Sequence, residues 1–172
     1  MMMDLLTALY LLLVAPCGNA DEGMRLQIQF LEEPAYHSCW LPWEEDRFLM
    51  ALELTNCAVS TYAIRTFAPC NDCNPRLFVR SESTGREPER TRELDILYAV
   101  NDSSFVDLEP LEVYTDTIDW AEFIRYDLKR GVSYQVWIEL KPWGADYQFE
   151  DTTRTTSIWP FKVVSDTLEF TH

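Results

Sequence analysis

Glycine, histidine and basic side chains are all scarce in this sequence. Its 172 residues include 5 glycines, at positions 18, 23, 85, 131 and 144. No GxGxxG, P-loop or GxSxG turn can be written from those positions, which excludes nucleotide cradles and nucleophile elbows of these types. The two histidines are His37 and the C-terminal His172. An HExxH helix or a histidine-based zinc site needs a second internal histidine. Lysine and arginine number 14 against 29 aspartates and glutamates, for a formal net charge of −15. Nucleic acids and anionic membrane surfaces are held by clustered lysine and arginine, so neither is expected as a partner. After residue 20 no apolar run approaches the ~20 residues of a membrane span. A triad would have to recruit His37, beside Ser38 and Cys39 in a segment broken by proline and tryptophan, and we read that histidine as a loop residue. With 29 acids, any carboxylate pair is uninformative about glycoside hydrolysis. The expectation is a protein without catalytic residues, metal or cofactor.

Leu5–Ala15 (LLTALYLLLVA) is an apolar run too short to span and of signal-peptide length. Gly18-Asn19-Ala20 places small residues at the −3 and −1 positions of a cleavage after Ala20, although the preceding MMMD lacks lysine and arginine. Residues 1–20 therefore read as a signal peptide and 21–172 as one secreted or periplasmic domain. That length of about 150 residues suffices for a single core. Lipid attachment at Cys17 would need a small residue where Pro16 stands. Discounting Cys17 leaves Cys39, Cys57, Cys70 and Cys73. An even number in an exported chain predicts two disulfides, whose three possible connectivities the sequence does not separate. Cys70-Asn-Asp-Cys73 also has redox and zinc spacing. Neither alternative finds its context: a redox pair lacks the βαβ surroundings, and Cys39 and Cys57 match no standard zinc pattern. Asn101-Asp-Ser103 is a glycosylation sequon.

Period-two alternation dominates, with strands predicted at Met24–Phe30, Arg47–Asn56, Tyr62–Phe67, Arg76–Arg80, Leu94–Val100, Leu111–Ile118, Tyr134–Leu140 and Trp159–Val164 followed by Thr167–Thr171. Ser81–Glu93 is free of apolar residues and reads as an exposed loop. Asp119–Asp127 suggests a short helical turn burying Trp120, Phe123 and Ile124. Short strands at this spacing predict an all-β fold, an immunoglobulin-like antiparallel Greek-key β-sandwich of about seven to nine strands. Leu128, Gly131 and Tyr134 have the spacing of a tyrosine corner, in which a buried phenol OH donates to backbone a few residues upstream, here near Leu128–Lys129. Beyond it Val136, Ile138 and Leu140 point inward, and Gln135, Trp137 and Glu139 point outward.

Phe105–Glu112 (FVDLEPLE), Ile118-Asp119, Tyr126-Asp127-Leu128, Gly131 and Tyr134-Gln-Val136 together resemble a secreted β-sandwich pattern. It is that of the immunoglobulin-like domain preceding the catalytic domain in deuterolysin-type metallopeptidases, and of stand-alone bacterial exported proteins. Trp159–Phe170 is similar to the closing strand pair of such domains, with Ser165 at the kink. The resemblance implies a fold and no activity. It departs from the pattern at Leu111, where a glycine usually follows the proline.

Two features suggest binding. Asp102, Asp107, Glu109, Glu112, Asp116, Asp119, Glu122 and Asp127 crowd one stretch, and a shared exposed face of such residues would steer a basic partner. Trp43, Trp137, Trp143 and Tyr147, with Trp40 near the first of them, supply aromatic anchors of the kind protein interfaces and sugar platforms use. The expected function is docking of a protein partner, basic in character, with Trp43, Trp137, Trp143, Tyr147, Glu112 and Asp116 as binding candidates. The alternative is a carbohydrate-binding module built on Trp43, Trp137 and Trp143.

Overall fold

The computed structural model describes residue 17 and residues 23–32, 49–67, 75–93, 101–120, 124–142 and 147–172. The strands among them are β1 (Met24–Glu32), β2 (Leu49–Asn56), β3 (Tyr62–Arg65), β4 (Arg76–Ser81), β5 (Arg90–Glu93), β6 (Phe105–Leu108), β7 (Val113–Asp119), β8 (Ile124–Tyr126), β9 (Ser133–Leu140), β10 (Ser157–Ile158), β11 (Val163–Val164) and β12 (Leu168–Thr171). The chain is all-β. One antiparallel sheet runs β1-β2-β7. In a second, β9 lies between β4 on one side and β11 and β12 on the other. β3 pairs with β6 antiparallel and with β10 in parallel, and β5 pairs with β8.

Alternation decides which way each strand faces. Met50, Leu52 and Leu54 of β2 are buried in register with Phe30, Ile28 and Leu26 of β1. Tyr134, Val136, Ile138 and Leu140 of β9 form the matching row in the second sheet, beside Leu77 and Val79 of β4. Val163 and Phe170 complete that row from the far edge. Both rows belong to one apolar core, a layering compatible with a β-sandwich. Burial of each such side chain contributes roughly 1.5–3 kcal/mol. Between β11 and β12 the strand kinks at Ser165, whose hydroxyl accepts from the Ile138 N–H at 2.9 Å in place of a ladder carbonyl.

The structure departs from the sequence reading in several places. Arg90–Glu93 is not loop but strand, and its partner β8 lies where a helical turn was expected. Arg90–Glu93 (RTRE) is charge-rich and has little strand propensity of its own, and pairing with Ile124-Arg-Tyr126 supplies what its composition lacks. It buries Tyr126 and brings the Asp127 N–H to the Glu89 carbonyl at 2.8 Å. Trp120 is fully buried, as expected. Phe105–Leu108 adds an unexpected strand that buries Phe105 and Leu108. The segment expected to begin a strand at Leu111 begins it at Val113, because 109–112 forms a turn with Leu111 at φ +68. Leu94–Val100 and Phe123 lie outside the described residues.

Buried Asn56 holds that turn. Its backbone carbonyl accepts from the Leu111 N–H at 2.7 Å and its N–H donates to Glu112 at 3.0 Å. Its side-chain amide donates to the carbonyls of Leu108 and Ser60, both at 2.8 Å. A left-handed leucine costs roughly 1–2 kcal/mol and persists when its surroundings over-determine it. Cys57, expected to pair with Cys39, Cys70 or Cys73, is bonded instead to Cys17, with Cα atoms 5.5 Å apart. The register explains the reach: Met24 stands opposite Asn56, and the Cys57 N–H donates to the Gly23 carbonyl at 2.6 Å. The chain entering β1 thus passes the residue that leaves β2. Cys17 lies upstream of the cleavage position read after Ala20, and Cys39, Cys70 and Cys73 lie outside the described residues.

Candidate functional site

The outward face of β4 and β9 carries a row of side chains set by the same parity that fills the core. With Leu77 and Val79 turned inward, Arg76, Phe78 and Arg80 of β4 must turn outward. In register they face Glu139, Trp137 and Gln135 of β9. Trp137 and Phe78 are directly opposed and stack, with planes 6° apart and centroids 5.4 Å apart. Rings that close and that parallel cannot lie side by side in one plane, so they overlap in an offset stack. The Arg76 guanidinium lies over the Phe78 ring at 4.9 Å, and that of Arg80 over Trp137 at 5.5 Å. The result is a partly buried aromatic pair between two arginines.

The polar groups around the stack are ordered across the strands. Arg80 Nη2 donates to Gln135 Oε1 at 2.7 Å, and Gln135 Nε2 donates to Glu169 Oε1 at 3.2 Å. Glu139 pairs with Lys162 at 3.4 Å. No carboxylate among the described residues forms an ion pair with Arg76 or Arg80.

The corner beneath this face is present, with one change of direction. Tyr134 is buried and its phenol oxygen accepts from the Lys129 N–H at 2.8 Å, whereas the expected bond had the phenol donating. Gly131 adopts φ +71 and its N–H donates to the His172 carbonyl at 2.6 Å. Leu128 is buried beside them in the core.

The acidic candidates lie elsewhere and are tied internally. Glu112 Oε2 accepts from the Glu109 N–H at 2.8 Å across its own turn. Asp116 stands opposite Leu52, so it shares the inward-facing side of β7, where it accepts from the Thr117 N–H at 2.7 Å and the Tyr114 hydroxyl at 3.4 Å. Burial, and then Asp116, push the Tyr114 phenol up. β7 has no second neighbour strand among the described residues, and an inward carboxylate there discourages edge-to-edge pairing. Glu112 and Asp116 therefore do not share a surface with Trp137, which projects from the opposite sheet.

Tyr147 is bound within the molecule. Its hydroxyl donates to Asp102 Oδ1 at 2.8 Å, and its ring packs on Phe105 and Phe149. Desolvation, and then the bond to Asp102, raise the phenol to about 12. Asp102 also accepts from the N–H groups of Glu150 and Asp151, while Arg154 pairs with Asp107 and covers the Phe149 ring at 4.0 Å. Trp43 and Trp143 lie outside the described residues. Sequence reasoning missed Arg76, Phe78 and Arg80, although the parity of Arg76–Arg80 already turned them outward. What it could not supply was the identity of the partner strand.

No three described His, Cys, Asp or Glu side chains come together in a way that could hold a metal ion. No described helix is long and apolar enough to cross a membrane. No family model matches the chain, and no curated protein matches it either.

Proposed function

We propose that this protein is an exported, non-catalytic binding domain of immunoglobulin-like Greek-key topology that docks a protein partner through the outward face of β4 and β9. The observation that carries the reading is the Phe78–Trp137 stack held between Arg76 and Arg80. Tryptophan and arginine on a rigid sheet face are the residue types that dominate interface energies, because they bring large area at low entropic cost. Export is supported by the leader-like Leu5–Ala15 run, and the Cys17–Cys57 disulfide fits export if the leader is removed before Cys17 rather than after Ala20. The immunoglobulin-like reading is supported by the Tyr134 corner and by the left-handed Leu111 where the resembled pattern has glycine.

A sugar platform is the weaker reading for this face. It needs an open indole face, whereas Phe78 stacks on Trp137 and Arg80 lies over the ring. The test is retention. Wild type and Trp137→Ala are immobilised in parallel and exposed to the exported fraction of the source cells, and the bound proteins are identified by mass spectrometry. A protein held by wild type and released by the variant is the expected result. Equal retention by both, with matching melting curves, would overturn the proposal.

A further inference from the structure

We infer that the partner meets this face with an acidic segment, its carboxylates engaging Arg76 and Arg80 on either side of the Phe78–Trp137 stack. The inference rests on the reading of that face as a protein-docking surface, and it runs against the net charge. A chain of −15 attracts basic molecules at long range, but the local chemistry of β4 and β9 points the other way.

In a chain with 29 acidic side chains against 14 basic ones, an arginine has many carboxylates to choose from. Arg90 takes Glu87, Arg154 takes Asp107, Lys129 takes Asp127 and Lys162 takes Glu139. Arg76 and Arg80 have none among the described residues. Of the described carboxylates on their own face, Glu139 pairs with Lys162 and Glu169 accepts from the Gln135 amide, and neither closes on an arginine. Arg80 gives one N–H to a neutral amide oxygen, and each guanidinium otherwise lies against a ring. Stacking leaves the edge of a guanidinium free, and that edge is the fork that binds a carboxylate through two parallel hydrogen bonds. The ring edges between the two arginines carry the positive side of the aromatic quadrupole, which also suits an anion and repels a cation.

Spacing narrows the partner further. Arg76 and Arg80 are four residues apart on one strand, roughly 13 Å. An extended segment with acidic residues four apart and an apolar residue midway would set its carboxylates on the two arginines and its apolar side chain on the stack. A basic segment would meet two cations on either side of the stack.

The probe is a blocked peptide containing Glu-Ser-Leu-Ser-Glu, with Lys-Ser-Leu-Ser-Lys as its charge-reversed counterpart. Binding is read from the indole N–H resonance of Trp137, identified by its loss in Trp137→Phe, at physiological salt. The acidic peptide should move that resonance, and Arg76→Gln/Arg80→Gln should bind it about tenfold more weakly with an unchanged melting curve. If the lysine peptide binds as well or better, the acidic partner is overturned while the docking face stands. If only polygalacturonate moves the resonance, the occupant is a glycan and both readings fall. If dilution alone moves it, the occupant is a second copy of this chain and a separate partner is overturned. A resonance that responds to none of these overturns the docking face itself.

Discussion

The stretch from Asp102 to Asp127 and the outward face of β4 and β9 invert what their charges suggest. The first is crowded with carboxylates and looks like a binding field, yet its acids are largely spent inside the molecule. Asp102 gathers the 147–154 segment, Asp107 holds Arg154, Glu112 closes its own turn, Asp116 caps the exposed edge of β7, and Asp127 pairs with Lys129. The second carries few charges, and two of them, Arg76 and Arg80, lack an ionic partner among the described residues. Abundance of one sign therefore locates structural ties here, and scarcity of the other locates what is presented. Net charge alone could not separate the two, since it counts groups without saying which are already neutralised at short range.

The largest effect expected is one that loosens β9 beneath the stack and leaves every charge in place. Tyr134→Phe keeps the buried ring but leaves the Lys129 N–H without its acceptor. The bond is part-buried and Lys129 itself is exposed, so its loss costs about 0.5–1.5 kcal/mol. In a domain of this size each kcal/mol lowers the melting temperature by roughly 2–4 °C or somewhat more. Calorimetry should find that loss, while the response of the Trp137 resonance to the acidic peptide persists below the transition. A variant melting within a degree of wild type would remove the corner as a support of β9.

A smaller, local effect tests the acidic side of the comparison. The Asp102 carboxyl is held below the usual carboxylate range, first by the Asp151 N–H and then by the Tyr147 hydroxyl. A lowered folded value means the fold favours the ionised form. Its contribution is complete above the unfolded value, about 4, and is lost as the pH falls through the lower folded one. Protection factors of the 147–154 amides, which take out the intrinsic slowing of exchange in acid, should therefore fall on acidification below about pH 4. Asp102→Asn should exchange faster there already at neutral pH. Asp151, also held low by Thr153, titrates in the same range and remains in the variant, so the acid step shrinks without vanishing. An unchanged pH profile would show that Asp102 does not anchor the segment.

These ties set the limit on how much the sequence could disclose. Parity needs only the neighbours of a residue in the chain, so it was legible that Val136, Ile138 and Leu140 fill the core, that Trp137 faces out, and that Tyr134 is buried. Partnership across strands is non-local. Nothing near Trp137 in sequence indicates that Phe78 will oppose it, and nothing near Asp102 indicates that Tyr147 will reach it. Parity misleads at Asp116, expected among several acids of 102–127 that share an exposed face. Asp116 sits on the inward side of an edge strand, and only the pairing with Leu52 reveals which side that is. Cys57 went astray for a related reason: discounting Cys17 with the leader removed its partner from the count.

Leu111 offers a gain. It is 64% exposed and left-handed, so its side chain contributes little packing while its backbone is strained. Leu111→Gly relieves roughly 1–2 kcal/mol of conformational cost and gives back about 0.4–1 kcal/mol through the freer unfolded chain. The net is a stabilisation of about 0.5–1 kcal/mol, visible as a small rise in the denaturant midpoint at constant slope. Loss of stability instead would mean that the leucine side chain is held by something its exposure does not suggest.

The smallest effect on stability should come from the two arginines, and its smallness is the point. Arg76→Gln/Arg80→Gln removes two positive charges from a chain that already carries −15, which adds a little general repulsion. It also removes two ring contacts at a largely solvated face and the bond to Gln135, which glutamine at position 80 can partly remake. Surface changes of this kind normally stay within about 0.5 kcal/mol per site, because water replaces what is lost. Had the arginines been structural, like Arg154 against Asp107 and Phe149, the double variant would melt clearly lower and its Phe78–Trp137 stack would loosen, dispersing the near-ultraviolet circular dichroism of the indole. Midpoint and spectrum should instead stay at wild-type values while the acidic peptide loses its hold. That combination separates a presented pair from a structural one, because a group whose interactions are completed inside the molecule cannot be removed without a mark on the fold.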